Sequence, residues 1–286
     1  MSVDTETAAT PSSAPAKAPV SDSMRRWTLA LWDLREGLRR WELWWLLGMN
    51  DIRQRYRRSR LGQFWITLSM SVTIGGIGVV YAFLFNMSLR DYLPYLAVNM
   101  IVWVFISGIL VDSGMTFMQA ENFLRQERLP KTTFVMRLLV RNSLILAHNA
   151  VLIPIVFVAF GVSVSWEALL AIPGFVIVFL NGFFVAIVLG IICSRFRDLQ
   201  QIIVNVTQVA FFVSPIMWQR QQLPQQHGYI VDLNPIAAHL AVVAEPLLGR
   251  VPSLLQYLTC LATTLVLALI VLPFFARYRE RVIYWL

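Results

Sequence analysis

The chain has 286 residues, of which 57% are apolar and only 14% are charged, and its formal net charge is +8. Soluble proteins carry about 25% charged residues, so this composition excludes an ordinary water-soluble domain and favours a membrane protein. It also argues against nucleic acid as the partner of the positive charge, because a nucleic-acid-binding protein needs a soluble body that carries its basic face.

Two segments precede the first long apolar run. Residues 1–23 are rich in Ala, Ser, Thr and Pro and lack an apolar core of signal-peptide length, which predicts a disordered tail. Residues 24–60 form the next unit, in which a stripe of apolar residues at helical spacing runs through 24–56. Because arginines flank this stripe, we predict an amphipathic helix on the inner membrane surface, with packing on a soluble core as the alternative. The stripe contains Trp27, Leu31, Leu34, Leu38, Trp41 and Trp45.

The end of this unit is strongly basic, with five arginines between positions 53 and 60 in the stretch DIRQRYRRSR. Positive charge beside an apolar run keeps that end of the run in the cytoplasm. The arginines are therefore predicted to set the topology, and a second role in binding is left open.

Six runs without a formal charge follow, each of at least the roughly 20 residues that cross the hydrocarbon of a bilayer. Their continuous apolar character favours helices over the alternating pattern of membrane strands. We therefore predict an all-α membrane protein whose domain 61–286 contains six transmembrane helices. The runs are 61–89, 92–111, 142–166, 168–194, 199–219 and 251–276.

The distribution of lysine and arginine predicts the orientation. With the N-terminus in the cytoplasm, 21 of the 24 lysines and arginines fall in cytoplasmic segments, and only Arg90, Arg220 and Arg250 lie outside. This bias follows the positive-inside rule. Both termini are therefore predicted to be cytoplasmic.

Two loops differ from simple connections. The segment QAENFLRQERLPKTTFVMR, residues 119–137, is interpreted either as a solvated charged turn or as a short amphipathic helix that docks into a partner. Residues 219–250 contain three prolines and an apolar piece of twelve uncharged residues, which is too short to span. We predict a re-entrant helical hairpin there, at the outer face before the last span.

Few residues are candidates for chemistry within the chain. Asp112 is predicted to pair with Arg137 or Arg141, which share one helix face, and His148 to be a hydrogen-bonded packing residue. A proton relay through Asp112 and His148 is the alternative. Cys193 and Cys260 lie in or beside apolar runs and indicate neither a disulfide nor a metal site.

No catalytic constellation and no phosphate-binding loop of the form G-x-x-x-x-G-K-[ST] occurs, because the only lysines, at positions 17 and 131, lack that context. If the protein uses ATP, a partner hydrolyses it. We therefore predict that this chain is not an enzyme and binds no cofactor or metal.

The motifs RQRYRRSRLGQFWITLSM, LRQERLPKTTFVMR and NPIAAHLAVVAEPLLG, placed around six spans, resemble those of the permease subunits of type-2 ABC exporters. The resemblance covers about residues 41–286 and is greatest to the O-antigen and polysaccharide export branch. Capsule-type members usually have a shorter basic segment, so RYRRS favours the O-antigen type. Capsular or teichoic-type polymer exporters, and drug or lipid exporters, are the alternatives.

The resemblance implies an ATP-driven exporter of the bacterial inner membrane. Two copies of the permease would pair with two copies of an ATP-binding subunit, which holds ATP and Mg²⁺. Helix 24–56 would be the interface helix at the membrane surface. A coupling helix would fit a groove of the ATP-binding subunit, and it corresponds to Glu121, Asn122, Phe123, Leu124, Arg125, Gln126, Glu127, Arg128, Leu129 and Pro130.

In this family the channel follows the dimer axis and is lined mainly by the first and fifth spans, here 61–88 and 200–218. Aromatic faces stack against sugar rings, so aromatic and amide residues of these spans suit a glycan path. Helix contacts are the alternative role for each aromatic residue. The lining candidates are Phe64, Trp65, Tyr81, Phe85, Gln208, Phe211, Phe212 and Trp218.

The polymers of this family arrive attached to polyprenyl diphosphate. Arginines at the headgroup level can hold a diphosphate through bidentate hydrogen bonds. The resemblance therefore implies a second role, in binding this group, for Arg53, Arg55, Arg57 and Arg58. Together these features predict a permease that moves lipid-linked, O-antigen-type polysaccharide across the inner membrane.

Overall fold

The computed structural model describes residues 22–286, so the predicted tail lies outside the described residues except for Asp22 and Ser23, which begin the first helix. The described chain is helical and contains no β-strand, which confirms the predicted all-α class. The helices are α1 (Asp22–Arg39), α2 (Trp41–Arg55), α3 (Phe64–Leu84), α4 (Leu89–Ser113), α5 (Glu121–Gln126), α6 (Lys131–Ala150), α7 (Leu152–Phe160), α8 (Ala171–Arg195), α9 (Leu199–Val213), α10 (Tyr229–Asp232), α11 (Pro235–Leu247), α12 (Leu254–Tyr278) and α13 (Val282–Trp285).

Five helical segments in the described chain are long and apolar enough to cross a membrane, and the number rises to six if one bent helix pair counts as a span. This confirms a membrane protein with several spans. Two of these segments contain more than one helix. Helices α6 and α7 together form Lys131–Phe160, and a short 3₁₀ helix precedes α8 in Trp166–Arg195. The five are Phe64–Leu84, Leu89–Ser113, Lys131–Phe160, Trp166–Arg195 and Leu254–Tyr278.

The fifth predicted run, 199–219, does not form a full-length helix. Only α9 forms there, and its 15 residues are fewer than the roughly 20 that span a bilayer. The helix ends at Ser214, whose backbone is extended. Pro215 explains this end, because a proline pushes the preceding residue out of the helical conformation. A full-length spanning helix is therefore not observed at this position, and six crossings stay a prediction.

The bent helix pair lies where a re-entrant hairpin was predicted. The axes of segments Gln225–Asp232 and Pro235–Leu247 differ by 88°. Asn234 begins the second helix, since its Oδ1 accepts hydrogen bonds from the amides of Ile236 (2.9 Å) and Ala237 (3.3 Å). This bend suits either a broken span or a re-entrant loop, and the re-entrant interpretation stays a prediction.

Helix α4 lies at the centre of the bundle. It packs against α3, α6, α7, α8, α9 and α11, and nearly every residue from Leu96 to Ile106 is buried. Its N-terminus is capped by Ser88, whose Oγ accepts from the amide of Asp91 (3.2 Å). The helix therefore connects both ends of the bundle through one apolar core.

The predicted amphipathic helix is interrupted. It forms two helices, α1 and α2, separated at Arg40, so the prediction of one continuous helix over 24–56 was wrong. Both helices pack on α6, and small residues allow close contact. A Cβ at Gly37 would lie 2.5 Å from Thr132 Cβ, and one at Gly48 would lie 3.0 Å from Val140 Cγ1. Most of the predicted stripe points away from the bundle, since Trp27, Leu31, Leu38, Trp41 and Trp45 are exposed.

A buried carboxylate fixes α1 to the bundle. Asp33 is only 1% exposed and accepts hydrogen bonds from the amides of Lys131 (3.1 Å) and Thr132 (3.0 Å) and from the Thr132 hydroxyl (2.9 Å). It therefore caps the N-terminus of α6 from another helix. Arg279, directly after α12, donates to the same carboxylate from Nη1 (3.1 Å). One side chain thus joins α1, α6 and α12.

We expect the substitution Asp33→Ala to lower the free energy of unfolding by about 3 kcal/mol or more, because it removes the buried carboxylate from three donors of α6 and leaves the guanidinium of Arg279 with only the exposed carboxylate of Glu280 (3.5 Å). Chemical denaturation of the purified protein in detergent micelles measures this change. Glu36→Ala, on the same helix, removes the exposed pair with Arg40 (2.8 Å) and should cost less than about 1 kcal/mol. Equal losses for both variants would contradict the anchoring role of Asp33.

Candidate functional site

Different helices form the two ends of the bundle. At one end, here called the amphipathic-helix end, α1, α2, α5 and α13 surround the start of α6 and the last turns of α12. At the other, the hairpin end, the start of α4 meets α11 and the segment after α9, where the Tyr95 hydroxyl donates to the carbonyl of Pro215 (2.6 Å). The candidate residues are described from the first end to the second.

The predicted coupling segment is a short helix at the amphipathic-helix end. Helix α5 has six residues, and the chain then runs extended to Pro130, which precedes α6. Leu124 is buried against the bundle, whereas the Phe123 side chain on the neighbouring position is 44% exposed. Glu121 and Arg125 form a surface ion pair (2.9 Å). Most other side chains of the segment are also exposed, namely Asn122, Gln126, Glu127 and Arg128, while Leu129 is half-buried.

An open groove runs beside this segment. Its volume is about 770 Å³, and α1, α5, the loop that follows α5, and the C-terminal residues after α12 form its walls. Trp32 of α1 and Tyr284 of α13 lie on its apolar side, and both are exposed. The short helix is therefore one edge of a concave surface rather than an isolated loop.

The four predicted diphosphate-binding arginines lie together at the end of α2. Arg53 and Arg55 are in its last turn, and Arg57 and Arg58 follow in the turn that leads to α3. All four are exposed, and none forms an ion pair with another described residue. The structure thus places unpaired positive charge at the point where the chain enters the first apolar helix.

A network of half-buried charges begins at Asp51, two residues before Arg53. Arg141 Nη2 contacts Asp112 Oδ2 at 2.8 Å, which confirms one of the two predicted pairings of Asp112. Arg137 instead donates from Nε to Asp51 of α2 (2.8 Å). Asn142 Nδ2 also donates to Asp112 (3.0 Å). The sequence analysis missed Asp51, because it stands beside a basic stretch and its partner is 86 residues away.

The remaining candidates inside the apolar helices serve packing. His148 Nδ1 hydrogen-bonds to the carbonyl of Leu144 (2.7 Å), as predicted, and Thr67 of α3 donates to the carbonyl of His148 (2.9 Å). Cys193 and Cys260 are buried free thiols. Among residues 22–286 no group of three or more His, Cys, Asp or Glu side chains is arranged to hold a metal ion.

The channel candidates divide into two groups. Phe64 and Trp65 at the start of α3 are exposed, and so are Gln208 and Phe212 of α9. The other four make contacts within the chain, which is the alternative role that the sequence left open. Tyr81 stacks obliquely on Phe85 (5.5 Å between ring centroids), Phe211 packs on Trp103 (5.7 Å), and Trp218 Nε1 donates to the carbonyl of Phe212 (3.1 Å).

Within one copy of the chain, α3 and α9 do not form a common wall. Both pack on α4, and α9 also contacts α8. The outward face of α9 is apolar, with Ile202, Val206, Val209 and Phe212 all more than half exposed. A surface of this kind must be covered by lipid or by another protein chain.

At the hairpin end, one exposed ion pair secures the loop before α11. Arg220 donates to Asp232 through Nε (2.9 Å) and Nη2 (2.6 Å). These hydrogen bonds raise the pKa of Arg220 further above its ordinary value. The bidentate geometry gives the loop a defined shape although it is exposed.

Residues 42–248 match the model of a protein family described as ABC-2 type transporter. The chain is also similar to proteins named O-antigen export system permease protein RfbA. One from Klebsiella pneumoniae is 22% identical over 199 residues, covering 66% of this chain and 73% of the relative. One from Myxococcus xanthus is 24% identical over 200 residues, covering 67% and 75%. Another from Klebsiella pneumoniae is 22% identical over 241 residues, covering 81% and 90%.

Proposed function

Because the chain belongs to the ABC-2 type transporter family, we propose that it is the permease subunit of an exporter that moves lipid-linked polysaccharide of the O-antigen type across the bacterial inner membrane. The observation that carries this proposal is the match over residues 42–248, together with relatives named as O-antigen export permeases. The chain performs no bond chemistry itself. A separate ATP-binding subunit would hold ATP and Mg²⁺ and supply the free energy.

The amphipathic-helix end faces the cytoplasm in this proposal. The contact of Asp33 in α1 with Arg279 after α12 brings the first helix and the C-terminal residues to the same end of the bundle. An even number of crossings is then required, and α9 with the segment that follows it supplies the sixth. The bias of lysine and arginine assigns that shared end to the cytoplasm.

Helices α1 and α2 would lie in the headgroup layer as the interface helix. Their exposed apolar side chains include Trp27, Trp41 and Trp45, and exposed arginines accompany them. Tryptophan favours the boundary between hydrocarbon and water, and arginine is attracted to anionic lipid headgroups. The two helices are also tied to α6, so movement at the membrane surface would be transmitted to the third predicted span.

The segment 121–130 would be the coupling helix. The ring of Phe123 packs on the buried ring of Phe134 (6.1 Å between centroids) but is still 44% exposed, so α5 presents part of an aromatic face to a partner. The adjoining groove has a volume of about 770 Å³ and offers a concave surface. A closing ATP-binding subunit that binds this region more strongly in one state than in the other would shift the permease between its states.

A second copy of the chain would cover the exposed apolar face of α9. Around the axis of such a homodimer, the exposed candidates Phe64, Trp65, Gln208 and Phe212 are the side chains available to line a channel, whereas Tyr81, Phe85, Phe211 and Trp218 are less exposed. The ring of Phe212 also contacts that of Phe211 (5.3 Å between centroids) but is still 58% exposed. Aromatic rings and an amide suit sugars of varied sequence, because stacking and hydroxyl hydrogen bonds do not require one particular sugar.

Arg53, Arg55, Arg57 and Arg58 would hold the diphosphate of the lipid-linked substrate at the cytoplasmic headgroup level. Support comes from their clustering beside α3 and from their lack of carboxylate partners within the described chain. A guanidinium without an internal counter-charge is free to donate paired hydrogen bonds to phosphate oxygens.

Deletion of the gene in the source organism tests the proposed function. We expect the cell-surface polysaccharide to disappear and the lipid-linked polymer to accumulate on the cytoplasmic side, as measured by fractionation and by labelling of intact and permeabilised cells. Restoring the wild-type gene should restore export. Normal surface polysaccharide in the deletion strain, together with altered efflux of drugs or small lipids, would favour the alternative class of substrate.

We expect Phe123→Ala to weaken binding of the ATP-binding subunit by about thirty-fold, the loss that follows from removing an aromatic interface anchor worth about 2 kcal/mol. Co-purification from membranes and titration of the two purified subunits measure this change. Phe83→Ala removes an equally apolar exposed ring from α3 and serves as the matched control. Unchanged binding by the Phe123 variant would show that α5 does not contact the ATP-binding subunit.

We expect single substitutions to glutamine to weaken binding of polyprenyl diphosphate by about ten-fold at each of Arg53, Arg55, Arg57 and Arg58. Each substitution removes a charge-assisted hydrogen bond to phosphate. Native mass spectrometry of the protein in lipid nanodiscs measures the bound lipid. Arg35→Gln and Arg39→Gln, at exposed arginines of α1, are the controls. Normal binding by the four variants would overturn the binding role, and failure to insert into the membrane would support only the topological role.

A further inference from the structure

A cavity at the hairpin end belongs to none of the surfaces described above. Its volume is about 170 Å³, and it lies between α4, α11, the segment after α9 and the start of α12. Tyr95 and Asn99 of α4 contribute to its wall, as do Ala241 and Glu245 of α11, and Arg250 stands in the connection to α12. It is therefore enclosed by elements that meet only in the folded bundle.

The cavity has unused hydrogen-bonding capacity. Asn99 is only 4% exposed, and its Nδ2 donates to the carbonyl of Tyr95 (2.9 Å), but its Oδ1 has no partner among the described residues. Glu245 Oε1 accepts a hydrogen bond from Gln256 Nε2 (3.0 Å), and the second carboxylate oxygen has no partner within the described chain. Because both residues line the cavity and these two acceptors have no protein donor, a ligand that enters the cavity can donate hydrogen bonds to them.

The charges around the cavity favour a neutral occupant. Arg220 and Asp232 at its rim neutralise each other in a bidentate pair (2.6 and 2.9 Å). Arg250 and Glu245 add one positive and one negative charge. The lining therefore has no excess charge to attract a phosphate or a metal ion, while it presents carboxylate, amide and guanidinium groups to hydroxyls.

The size of the cavity suits one six-membered sugar ring. A cavity of about 150 Å³ is large enough to hold a benzene molecule, so about 170 Å³ accommodates the ring atoms of one sugar, whose substituents then extend toward the polar lining. Small side chains of α11 leave this space open, among them Ala237, Ala241 and Ala244. Their methyl groups give one wall an apolar surface, against which the CH face of a sugar ring can pack.

We propose that this cavity is a binding site for one neutral sugar residue, with the sugar hydroxyls donating to Asn99 Oδ1 and to the free oxygen of Glu245. The inference rests on the proposed function, which supplies the glycan and places the hairpin end at the periplasmic face. There the site would hold part of the polymer as it leaves the permease, at a position separate from the aromatic residues of α3 and α9.

Saturation-transfer NMR tests the site with the full-length protein in nanodiscs prepared without sugar-based detergent. The probes are glucose, mannose, rhamnose and N-acetylglucosamine at millimolar concentration. We expect at least one sugar to show saturable transfer. Asn99→Leu and Glu245→Gln should each weaken its binding by about five-fold, the loss for one hydrogen bond. Ala241→Phe should abolish binding by filling the cavity.

Asn181→Leu is the control, because Asn181 is equally buried (5% exposed) and lies away from the cavity, where its Nδ2 donates to the carbonyl of Ile177 (3.0 Å) and to the hydroxyl of Thr264 (2.8 Å). It should leave sugar binding unchanged. If Asn99→Leu does not fold, Glu245→Gln and Ala241→Phe decide the test. Transfer that persists in both of these variants would place the sugar elsewhere, and absence of transfer from all four sugars would mean that water fills the cavity.

Either negative result overturns the site but leaves the proposed function intact, because export is measured separately in the deletion strain. If the deletion strain exports its surface polysaccharide normally, the proposed function fails whatever the NMR result. Sugar binding that depends on Asn99 and Glu245 would then show a glycan site on a protein with another substrate.

Discussion

The buried carboxylate of Asp33 is the interaction on which the amphipathic-helix end depends. A carboxylate removed from water is unfavourable unless it is hydrogen-bonded and paired with a cation, and here α6 supplies three donors and Arg279 the positive charge. These contacts fix which face of α1 meets the bundle, so its tryptophans face outward. They also place α1 at the groove, which α5 lines as well.

Hydropathy predicted most of the membrane fold because the absence of charge along a helix is a local property of the sequence. It could not predict where α9 ends, since the uncharged run continues past Ser214 to Gln219. Pro215 is the local signal for that end. The break at Arg40 was also missed, because the apolar period continues across it although the helix does not.

The site was predictable only where partners border consecutive uncharged runs, as Asp112 and Arg141 do. The spacing of Arg137 and Arg141 placed both on one face of a helix, and the pair of Arg141 with Asp112 follows from it. Asp33 and Asp51 find partners many residues away, so tertiary packing decides their roles. The small residues Ala30 and Gly37 lie about one turn before and one turn after Asp33 in α1. They were the local signal in the sequence for the side of α1 that packs on the bundle.

The shortness of α9 has a consequence for the lipid around the protein. Its 15 residues extend about 22 Å, whereas the hydrocarbon layer is about 30 Å thick. Where lipid rather than the second copy of the proposed homodimer meets α9, mismatch of this size is accommodated when the bilayer becomes thinner, at a modest free-energy cost per Å. A hydrophilic polymer that crosses next to α9 would then meet a shorter dielectric barrier than one crossing through undisturbed membrane.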